Sequence, residues 1–298
     1  TGAATAAAFT TTYGTASAVQ SFSVSGSNLT ANITATAPTG FEVSSDGTTY
    51  GSTATFTQAS GTASGTLRIR LASSAVPGGT YNSQNITLTS AGASTVNIAT
   101  ASSGNSVSPK ALTVTGLTAQ NKSYNGLTGA TVTGTPSLSG LVGSDTATLG
   151  GTPSFSFSSA AVGTGKTVST SGYTISGGQS SYYTLTQPSF SADITTAALT
   201  VTANHVNKVQ GTLLTGGSGS TAFTSSGLQN SETIGTVTLA YGTGALPGDA
   251  SGTYTGQVTP SAATGGTFTA SNYSISYVSG DIIVSATPTI SAPGSLSA

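Results

Sequence analysis

The segment that most resembles a chemical site is residues 163–167, Gly-Thr-Gly-Lys-Thr, which match the end of a nucleotide-binding P-loop. A P-loop also needs a glycine five residues before its Gly-Lys pair, so that backbone amides can wrap the phosphates, and a helix after it. Ala160 stands where that glycine is needed, and residues 168–173 have the pattern of a strand and a turn. The sequence therefore predicts a glycine-rich strand connection here and no nucleotide site.

The only histidine of the chain, His205, lacks the supporting residues of a catalytic or metal site. A triad or a histidine metal site would need carboxylates or further histidines beside it, and the acidic residues are scattered singly. No Gly-x-Ser-x-Gly nucleophile elbow occurs, although both residue types are abundant. We predict that His205 is a surface residue, and that the chain has no catalytic residue, no cofactor and no enzymatic activity. The acidic residues are Glu42, Asp46, Asp145, Asp193, Glu232, Asp249 and Asp281.

Cation sites and covalent crosslinks are the remaining chemistry. Calcium needs clustered oxygen ligands, and the sequence has no Asp-x-Asp-x-Asp run, so no metal site is predicted. The absence of cysteine excludes disulfides and thiolate ligands. A Lys–Asn isopeptide crosslink through Lys122 or Lys208 would stiffen a cysteine-free module and stays open, and its signature would be an intact mass short by one ammonia per crosslink.

Composition limits the partners that the chain can bind. Charged residues form 4% of the 298 residues, against roughly 25% in an ordinary soluble domain. Serine and threonine supply about a third of the chain, so hydroxyl groups wet its surface. Six basic residues spread along the chain cannot neutralise a nucleic-acid backbone. Nucleic acid is therefore excluded as a partner. No apolar run approaches the ~20 residues of a membrane-spanning helix, so a membrane span within this segment is excluded as well.

The elements that must position any site are strands. Residues 28–34, 67–71 and 86–89 alternate apolar and polar side chains at period two, which is the pattern of half-buried strands. Strand candidates recur at roughly 8–12-residue intervals, separated by turn residues such as Ser-Asp-Gly at 45–47 and Pro-Gly-Gly at 77–79. No stretch shows a helical period. The chain is predicted to be all-β, built from tandem β-sandwich modules in an extended array.

Comparison of the chain with itself shows an internal repeat. Ala-Leu-Thr-Val-Thr at 111–115 recurs at 198–202, an offset of about 87 residues, which suits an independently folding module with its own core. The pattern Ser-Gly-Leu at 139–141 recurs at the same offset as 226–228. The repeat places Asp145 opposite Glu232, and Asp193 opposite Asp281. Equivalent positions in separate modules indicate turn and strand-end roles for these acids rather than a catalytic pair.

The repeat divides the chain into predicted modules. An N-terminal Ig-like β-sandwich is expected at 1–106, closed by a serine-rich linker at 102–106, and the two copies at 107–196 and 197–286. At the boundary between the copies, near residue 196, one strand passes almost directly into the next module, and so short a connection would limit swivelling. Residues 287–298 contain two prolines and are expected to be an extended linker or the first strand of a following module.

The motifs of the first copy resemble the bacterial YDG repeat domain. They are Lys-Ser-Tyr-Asn-Gly at 122–126, the glycine-rich run at 162–168, Gly-Tyr-Thr-Ile-Ser-Gly at 172–177, Tyr-Thr-Leu at 183–185 and Ala-Asp-Ile at 192–194. Asn125 replaces the aspartate of the Tyr-Asp-Gly signature.

The second copy resembles the related MBG domain. It begins with Leu-Thr-Val-Thr-Ala-Asn at 199–204 and has Ser-Asn-Tyr-Ser-Ile-Ser-Tyr at 271–277. Val-Gln-Gly at 209–211 replaces the Tyr-Gly that follows the lysine in the pattern. The fold implied for the array is one of Ig-like and MBG-like sandwiches, and neither family has a catalytic site to transfer.

The resemblance implies a function, because both families occur as tandem modules in very large secreted bacterial proteins of the haemagglutinin and adhesin type. We therefore expect a non-enzymatic structural segment of a fibre, stalk or adhesin at the extracellular surface of a bacterium. Its partners would be copies of itself, head to tail, or further modules of the same chain. The alternative is a module that binds a surface glycan through loops or through Tyr182, Tyr183 and Tyr241. Tyrosines exposed in a shallow groove would favour glycan binding, and tyrosines buried between sheets would favour the spacer.

Overall fold

A computed structural model describes residues 4–290 of the chain. Within this range it contains 25 strands and two one-turn 3-10 helices, η1 (Ser180–Tyr182) and η2 (Ala270–Asn272), and no α-helix. The predicted all-β sandwich fold is confirmed. No helix in the described range has the length and apolar character needed to cross a membrane.

The N-terminal strands form a β-sandwich. One layer is a five-stranded sheet with the order β1-β9-β8-β4-β6, the other is a three-stranded sheet with the order β3-β7-β5, and β2 pairs with β10 in a separate two-stranded sheet. The strands are β1 (Ala4–Thr5), β2 (Thr10–Thr12), β3 (Gln20–Gly26), β4 (Ile33–Thr36), β5 (Phe41–Ser44), β6 (Thr53–Phe56), β7 (Ala63–Leu71), β8 (Asn85–Thr89), β9 (Val96–Ala99) and β10 (Ser106–Ser108).

Alternation along the sequence sets which side chains of this sandwich face its core. In β7 the side chains of Leu67, Ile69 and Leu71 are fully buried, while Arg68 and Arg70 between them are partly exposed. Because successive side chains of a strand point to opposite faces, one face of β7 is apolar and the other is polar. The half-buried strand predicted at 67–71 is therefore present.

The next part of the chain forms two sheets, with the orders β13-β11-β16 and β12-β17-β15-β14. Two of its pairings are parallel: β11 with β16, and β12 with β17. The strands are β11 (Lys110–Ala119), β12 (Lys122–Ser123), β13 (Val132–Ser139), β14 (Thr148–Phe157), β15 (Gly163–Ser176), β16 (Tyr183–Thr186) and β17 (Ser189–Thr195).

The last part repeats this arrangement, with the sheet orders β21-β18-β24 and β19-β25-β23-β22-β20. The pairs β18 with β24 and β19 with β25 are again parallel, and β23 again runs antiparallel to the last strand. Apart from the added β20, each strand has a counterpart in the preceding copy, as the internal repeat predicts. The strands are β18 (Ala197–Ala203), β19 (Val206–Val209), β20 (Gly217–Ser220), β21 (Phe223–Ser226), β22 (Ile234–Tyr241), β23 (Gly252–Gly266), β24 (Tyr273–Val278) and β25 (Gly280–Ser285).

The chain packs into two compact units. The first consists of Thr1–Leu117, Thr135–Ser154 and Ser171–Pro188, and the second of Thr118–Gly134, Phe155–Thr170 and Ser189–Ala298. Each unit has its own hydrophobic core. The module limits predicted after residues 106 and 196 remain a prediction, since the units are divided by packing and not by the repeat.

The serine-rich segment at 102–106 is not a free linker. Asn105 is buried, and its side-chain carbonyl accepts a hydrogen bond from the backbone N–H of Phe9 at 2.8 Å, while its amide group donates to Asn82 and Ala101. Ser106 then begins β10. The polar composition of this segment predicted a linker. The three hydrogen bonds made by the buried side chain of Asn105 instead fix the loop to the sandwich.

The strands on either side of each copy's start are almost continuous. Only Pro109 separates β10 from β11, and only Thr196 separates β17 from β18. After β25, residues 286–290 form no strand, and the side chain of Ile290 is 99% exposed. The rest of the segment predicted as a linker or following strand, 291–298, lies outside the described residues.

Candidate functional site

Two tyrosines share one carboxylate in the first compact unit, and we call this group the first junction. The hydroxyls of Tyr13 and Tyr183 both donate to Oδ2 of Asp145, at 2.7 and 2.6 Å. The two rings meet edge to face, with centroids 5.5 Å apart at 84°. Both tyrosines are buried, at 7% and 5% exposure. The Tyr183 hydroxyl also accepts a hydrogen bond from the backbone N–H of Val142 at 2.8 Å.

The second compact unit contains the same group, the second junction. Tyr124 donates to Oε1 of Glu232, and Tyr273 donates to Oε2 at 2.6 Å. The ring centroids are 5.4 Å apart at 79°, and both tyrosines are 6% exposed. The Tyr273 hydroxyl accepts a hydrogen bond from the backbone N–H of Gln229 at 2.9 Å. The number and type of the contacts therefore match those of the first junction, although the two tyrosines bind one oxygen of Asp145 and separate oxygens of Glu232.

The upstream tyrosines, Tyr13 and Tyr124, are placed by short strands. Each follows a strand that pairs in parallel with a later strand, β2 with β10 and β12 with β17. The N–H of Tyr13 donates to the carbonyl of Ser108 at 2.9 Å, and that of Tyr124 donates to Thr195 at 2.8 Å. Ser108 and Thr195 each end a strand that one residue separates from the first long strand of the next copy, so the tyrosine is held beside the chain's entry into that copy.

A glycine with positive φ lets each upstream segment approach its neighbour closely. Gly14 has φ +84°, and a Cβ built on it would lie 2.6 Å from a methyl carbon of Val142. Gly126 has φ +74°, and its Cβ would lie 2.4 Å from the Cβ of Asn230. Heavy atoms do not approach so closely, so both positions require glycine for conformation and for space.

The downstream tyrosines and the acids are placed by equivalent local structures. Tyr183 follows η1 and begins β16, opposite Lys110 at the start of β11. Tyr273 follows η2 and begins β24, opposite Ala197 at the start of β18. In both copies the acid closes a turn: the N–H of Asp145 donates to Val142, and that of Glu232 donates to Gln229, each at 2.9 Å.

Burial and the shared carboxylate keep the four hydroxyls protonated. Burial and the hydrogen bond to Asp145 raise the pKa of Tyr13 to about 12, and burial and the bond to Glu232 raise the pKa of Tyr273 to about 12. The pKa of Tyr183 is raised mainly by burial, and that of Tyr124 mainly by its bond to Glu232. A phenol that ionises only in strong alkali is a poor base or nucleophile near neutral pH. The arrangement is suited to holding two segments together.

The acids in the repeat have the turn and strand positions that their equivalence predicts. Beyond the junction acids, Oδ1 of Asp193 in β17 accepts from the N–H of Gly165 at 2.7 Å, and Oδ1 of Asp281 in β25 accepts from Gly256 at 2.8 Å. Both glycines lie where the register of the adjoining pair shifts. Each aspartate therefore binds the free N–H of a β-bulge.

The remaining sequence candidates for chemistry have structural contacts. Residues 163–167 lie in β15 with no helix after them, as predicted, and Lys166 donates to the hydroxyl of Ser159. His205 is largely exposed, and its Nδ1 accepts a hydrogen bond from the N–H of Asp281 at 2.9 Å. Within residues 4–290, no three His, Cys, Asp or Glu side chains are grouped to bind a metal ion.

Lys122 and Lys208 occupy equivalent positions and cap loop carbonyls. The ammonium of Lys122 donates to the side-chain carbonyl of Asn125 at 3.0 Å and to the carbonyls of Leu127 and Gly129, and burial lowers its pKa. Lys208 is 6% exposed and donates to the carbonyls of Thr212 and Leu246. These contacts are non-covalent, and the isopeptide crosslink stays a prediction.

The three tyrosines predicted to bind a glycan differ in their surroundings. Tyr183 is part of the first junction, and Tyr182 is half-buried with its ring centroid 5.1 Å from that of Tyr13. Tyr241 belongs to the second unit, where it ends β22 and lines a depression with Ser218 and other residues of β20. The burial of Tyr183 favours a structural role, and glycan binding by these tyrosines stays a prediction.

Sequence reasoning missed Tyr13 and Tyr124 and assigned the junction acids only to turns. Tyr13 and Tyr124 are not separated by the repeat offset of about 87 residues, because Tyr13 lies in the N-terminal segment, which does not share the repeat. The available signal was the recurrence of an acid at 145 and 232 together with a tyrosine at 183 and 273. An acid and a tyrosine that recur together in both copies indicate that the carboxylate accepts a hydrogen bond from the phenol, because a buried hydroxyl needs a partner.

Two consecutive copies of one topology, each bound to the segment before it by an equivalent contact, define a tandem-repeat β-protein. A YDG domain is found at residues 108–190, and an MBG domain of the YGX type is found at residues 199–282. The resemblance drawn from the motifs is confirmed. These domains are repeat or binding-type modules and are not enzyme families. Neither the curated proteins nor the solved structures give a match.

Proposed function

We propose that the chain is a non-enzymatic structural segment of a large secreted bacterial protein, in which successive β-modules form a stalk, fibre or adhesin outside the cell. The observation that carries the proposal is the recurrence of the tyrosine–carboxylate junction. Asp145 and Glu232 each bind one tyrosine from their own module and one from the segment before it. Because the same contact links each copy to the segment before it, we interpret it as the way in which successive modules are connected.

The energetics of a junction favour a fixed connection over a swivel. A hydrogen bond to a charged group contributes about 1.5–3 kcal/mol, and an edge-to-face aromatic pair adds about 0.5–1.5 kcal/mol beyond the area that it buries. Each junction has two such hydrogen bonds and one such pair. Since only one residue links the strands on either side, little chain is left to act as a hinge.

The surface chemistry supports an extracellular spacer. A chain with a net charge of −1 and 4% charged residues has no long-range field with which to attract ionic partners. Its strands expose mainly serine and threonine hydroxyls, which bind water without titrating. Head-to-tail association of copies belongs to the same proposal, and sedimentation of the purified chain over a range of concentrations tests it. Antibody labelling of intact cells that produce the chain tests the location.

The junction itself is tested by amide ¹⁵N relaxation of the full chain. We expect the residues on both sides of the second junction, 118–134 and 199–282, to share one rotational correlation time. Glu232→Ala removes the shared acceptor and is expected to shorten the correlation time on at least one side. Asp249→Ala is the matched control, because Asp249 accepts only a loop N–H from Leu246. Independent tumbling in the unmodified chain would overturn the spacer proposal.

A second function, glycan binding, is favoured by one observation. Tyr241 is half-buried beside a depression of about 290 Å³ whose other residues are mostly glycine, serine and threonine. A ring beside several hydroxyl and backbone groups is a suitable surface for a sugar. Binding of neutral oligosaccharides by the full chain, abolished in Tyr241→Ala and kept in Tyr50→Ala, would establish this function, and equal binding by both variants would exclude it.

A further inference from the structure

The MBG domain has a third position that matches the upstream tyrosines. The backbone N–H of Gln210 donates to the carbonyl of Ser285 at 2.9 Å, as Tyr13 donates to Ser108 and Tyr124 donates to Thr195. The strand before it, β19, pairs in parallel with the exit strand β25, as β12 does with β17. Gln210 therefore stands where a junction tyrosine stands in the two earlier segments.

No module is docked at this third position among the described residues, where the segment after β25 contributes one hydrogen bond, from the Thr287 hydroxyl to the carbonyl of Gln210 at 3.3 Å. Gln210 is half-exposed, whereas Tyr13 and Tyr124 are buried. The glycine after it, Gly211, has φ +95°, and a Cβ built on it would have no atom within 4 Å. At Gly126 the same test places a side-chain atom at 2.4 Å. The backbone conformation for a close approach is present at Gly211, and nothing among the described residues makes that approach.

Exposed apolar side chains lie on both sides of Gln210, and one carboxylate, Asp249, closes the neighbouring turn, where it accepts a hydrogen bond from the N–H of Leu246 at 2.8 Å. The side chains of Val209, Leu213 and Leu246 are 42%, 56% and 61% exposed. Val209 and Leu213 lie in the loop that carries Gln210, and Leu246 lies in the turn whose Pro247 carbonyl accepts a hydrogen bond from the N–H of Gly211 at 2.9 Å. Lys208, next to this loop, is buried and donates to the carbonyls of Thr212 and Leu246. Exposed apolar side chains beside a side-chain amide that is unpaired within residues 4–290 are suited to a partner that supplies apolar contacts and a hydrogen-bond acceptor.

We propose that residues 209–213 form the upstream half of a third junction, which docks a further β-module that follows β25. This inference rests on the proposed function. The partner is one that carries the loop seen twice here, a turn ending in a carboxylate with a tyrosine beside it. In the first and second junctions this loop belongs to the module whose first long strand, β11 or β18, begins one residue after the preceding strand, β10 or β17.

A second copy of the chain is not the partner, because its Asp145 and Glu232 loops are already bound by Tyr13 and Tyr124. The amide of Gln210 can donate to a carboxylate as a phenol does, but it offers no ring for the edge-to-face contact. The third junction is therefore weaker than the first two, and Gln210→Tyr strengthens it.

Disulfide capture in an extended chain tests the proposal, since the protein has no cysteine of its own. In this extended chain, residues 1–286 are followed directly by a second copy of residues 197–286. The test pair is Gly211→Cys with Asn230→Cys in the added copy. The control pair, in a separate chain, is Gly126→Cys with Asn230→Cys in the original copy, where the loops need to open by only about 1 Å to accommodate a disulfide.

We expect both pairs to lose their free thiols on mild oxidation and to regain them on reduction, with Gln210→Tyr increasing the yield of the test pair at least twofold. Free thiols in the test pair beside a closed control pair would overturn this inference and leave the proposed function standing. Free thiols in both pairs would overturn the proposed function as well. Crosslinks between separate chains, seen as dimers of the test variant, would overturn docking by a following module.

Discussion

The hydroxyl of Tyr273 lies 2.6 Å from Oε2 of Glu232, and the hydroxyl of Tyr183 lies 2.6 Å from Oδ2 of Asp145 in the preceding copy. The acid is one methylene longer in the second copy, yet the distance and the edge-to-face packing of the tyrosines are the same. What recurs is a contact and not a residue. The first and second junctions are therefore two examples of one type of contact between modules.

Alkaline unfolding follows from the tyrosine pKa values. Tyr13 and Tyr273 have pKa values near 12 in the folded chain, against an ordinary value of 10.0. The stability that these phenols contribute is complete below about pH 10 and is lost as the pH rises towards 12, because the unfolded chain then releases the proton first. Tyr13→Phe and Tyr273→Phe should each make the fall in stability above pH 10 shallower.

The measurement is urea unfolding at several pH values, with a phenolate absorbance titration beside it. The chain contains 11 tyrosines and no tryptophan, so the absorbance reports tyrosine alone. We expect the last groups to titrate to disappear in the two variants. A fall in stability between pH 10 and 12 that is identical in all three proteins would contradict the role of these hydroxyls.

Close approach at the second junction predicts a difference between two glycine substitutions. Gly126 and Gly211 have positive φ, so Gly126→Ala and Gly211→Ala share a conformational cost of about 1 kcal/mol. Only Gly126→Ala places its Cβ against Asn230, which adds about 1–3 kcal/mol of overpacking. The free energy of unfolding of the Gly126→Ala chain should therefore be lower by that amount. Equal destabilisation by both substitutions would show that the contact at residue 126 is not tight.

The bulge contacts predict that Asp281→Ala and Asp193→Ala act alike. Each removes the acceptor of a glycine N–H at a register shift and should cost about 1–2 kcal/mol of unfolding free energy. Asp281→Asn keeps Oδ1 and should retain most of the stability. Thermal unfolding of the three variants checks this, and a loss in Asp281→Asn as large as in Asp281→Ala would mean that charge, and not the hydrogen bond, is what matters.

The fold was largely predictable from the sequence because strands leave a local signal. The alternation of Leu67, Ile69 and Leu71 with arginine follows directly from the period of a strand. The repeat of residues 111–115 at 198–202 identified two copies, which have matching sheet orders. The serine-rich stretch at 102–106 was misleading, because the buried contacts of Asn105 come from residues distant in sequence.

The junctions were less predictable, because their members come from segments far apart. Tyr13 and Asp145 are brought together by packing between strands, and no spacing rule relates their numbers. The equivalence of Asp145 and Glu232 was visible and indicated turns, which both residues do close. That the same carboxylates accept hydrogen bonds from buried tyrosines depends on three-dimensional contacts. Glycine, which has no side chain to form a pattern, gave no sign of the close approach at Gly14.

The most direct test of the central claim is the coupling free energy between Tyr124 and Glu232. It is obtained from the free energies of unfolding of the full chain, Tyr124→Phe, Glu232→Gln and the double variant, measured by urea denaturation and circular dichroism. If the junction holds the two segments together, the coupling free energy should be about 1–3 kcal/mol, which is the range for two hydrogen-bonded side chains of which one is charged. Effects that add within about 0.5 kcal/mol would contradict the claim that this contact is a connector between modules.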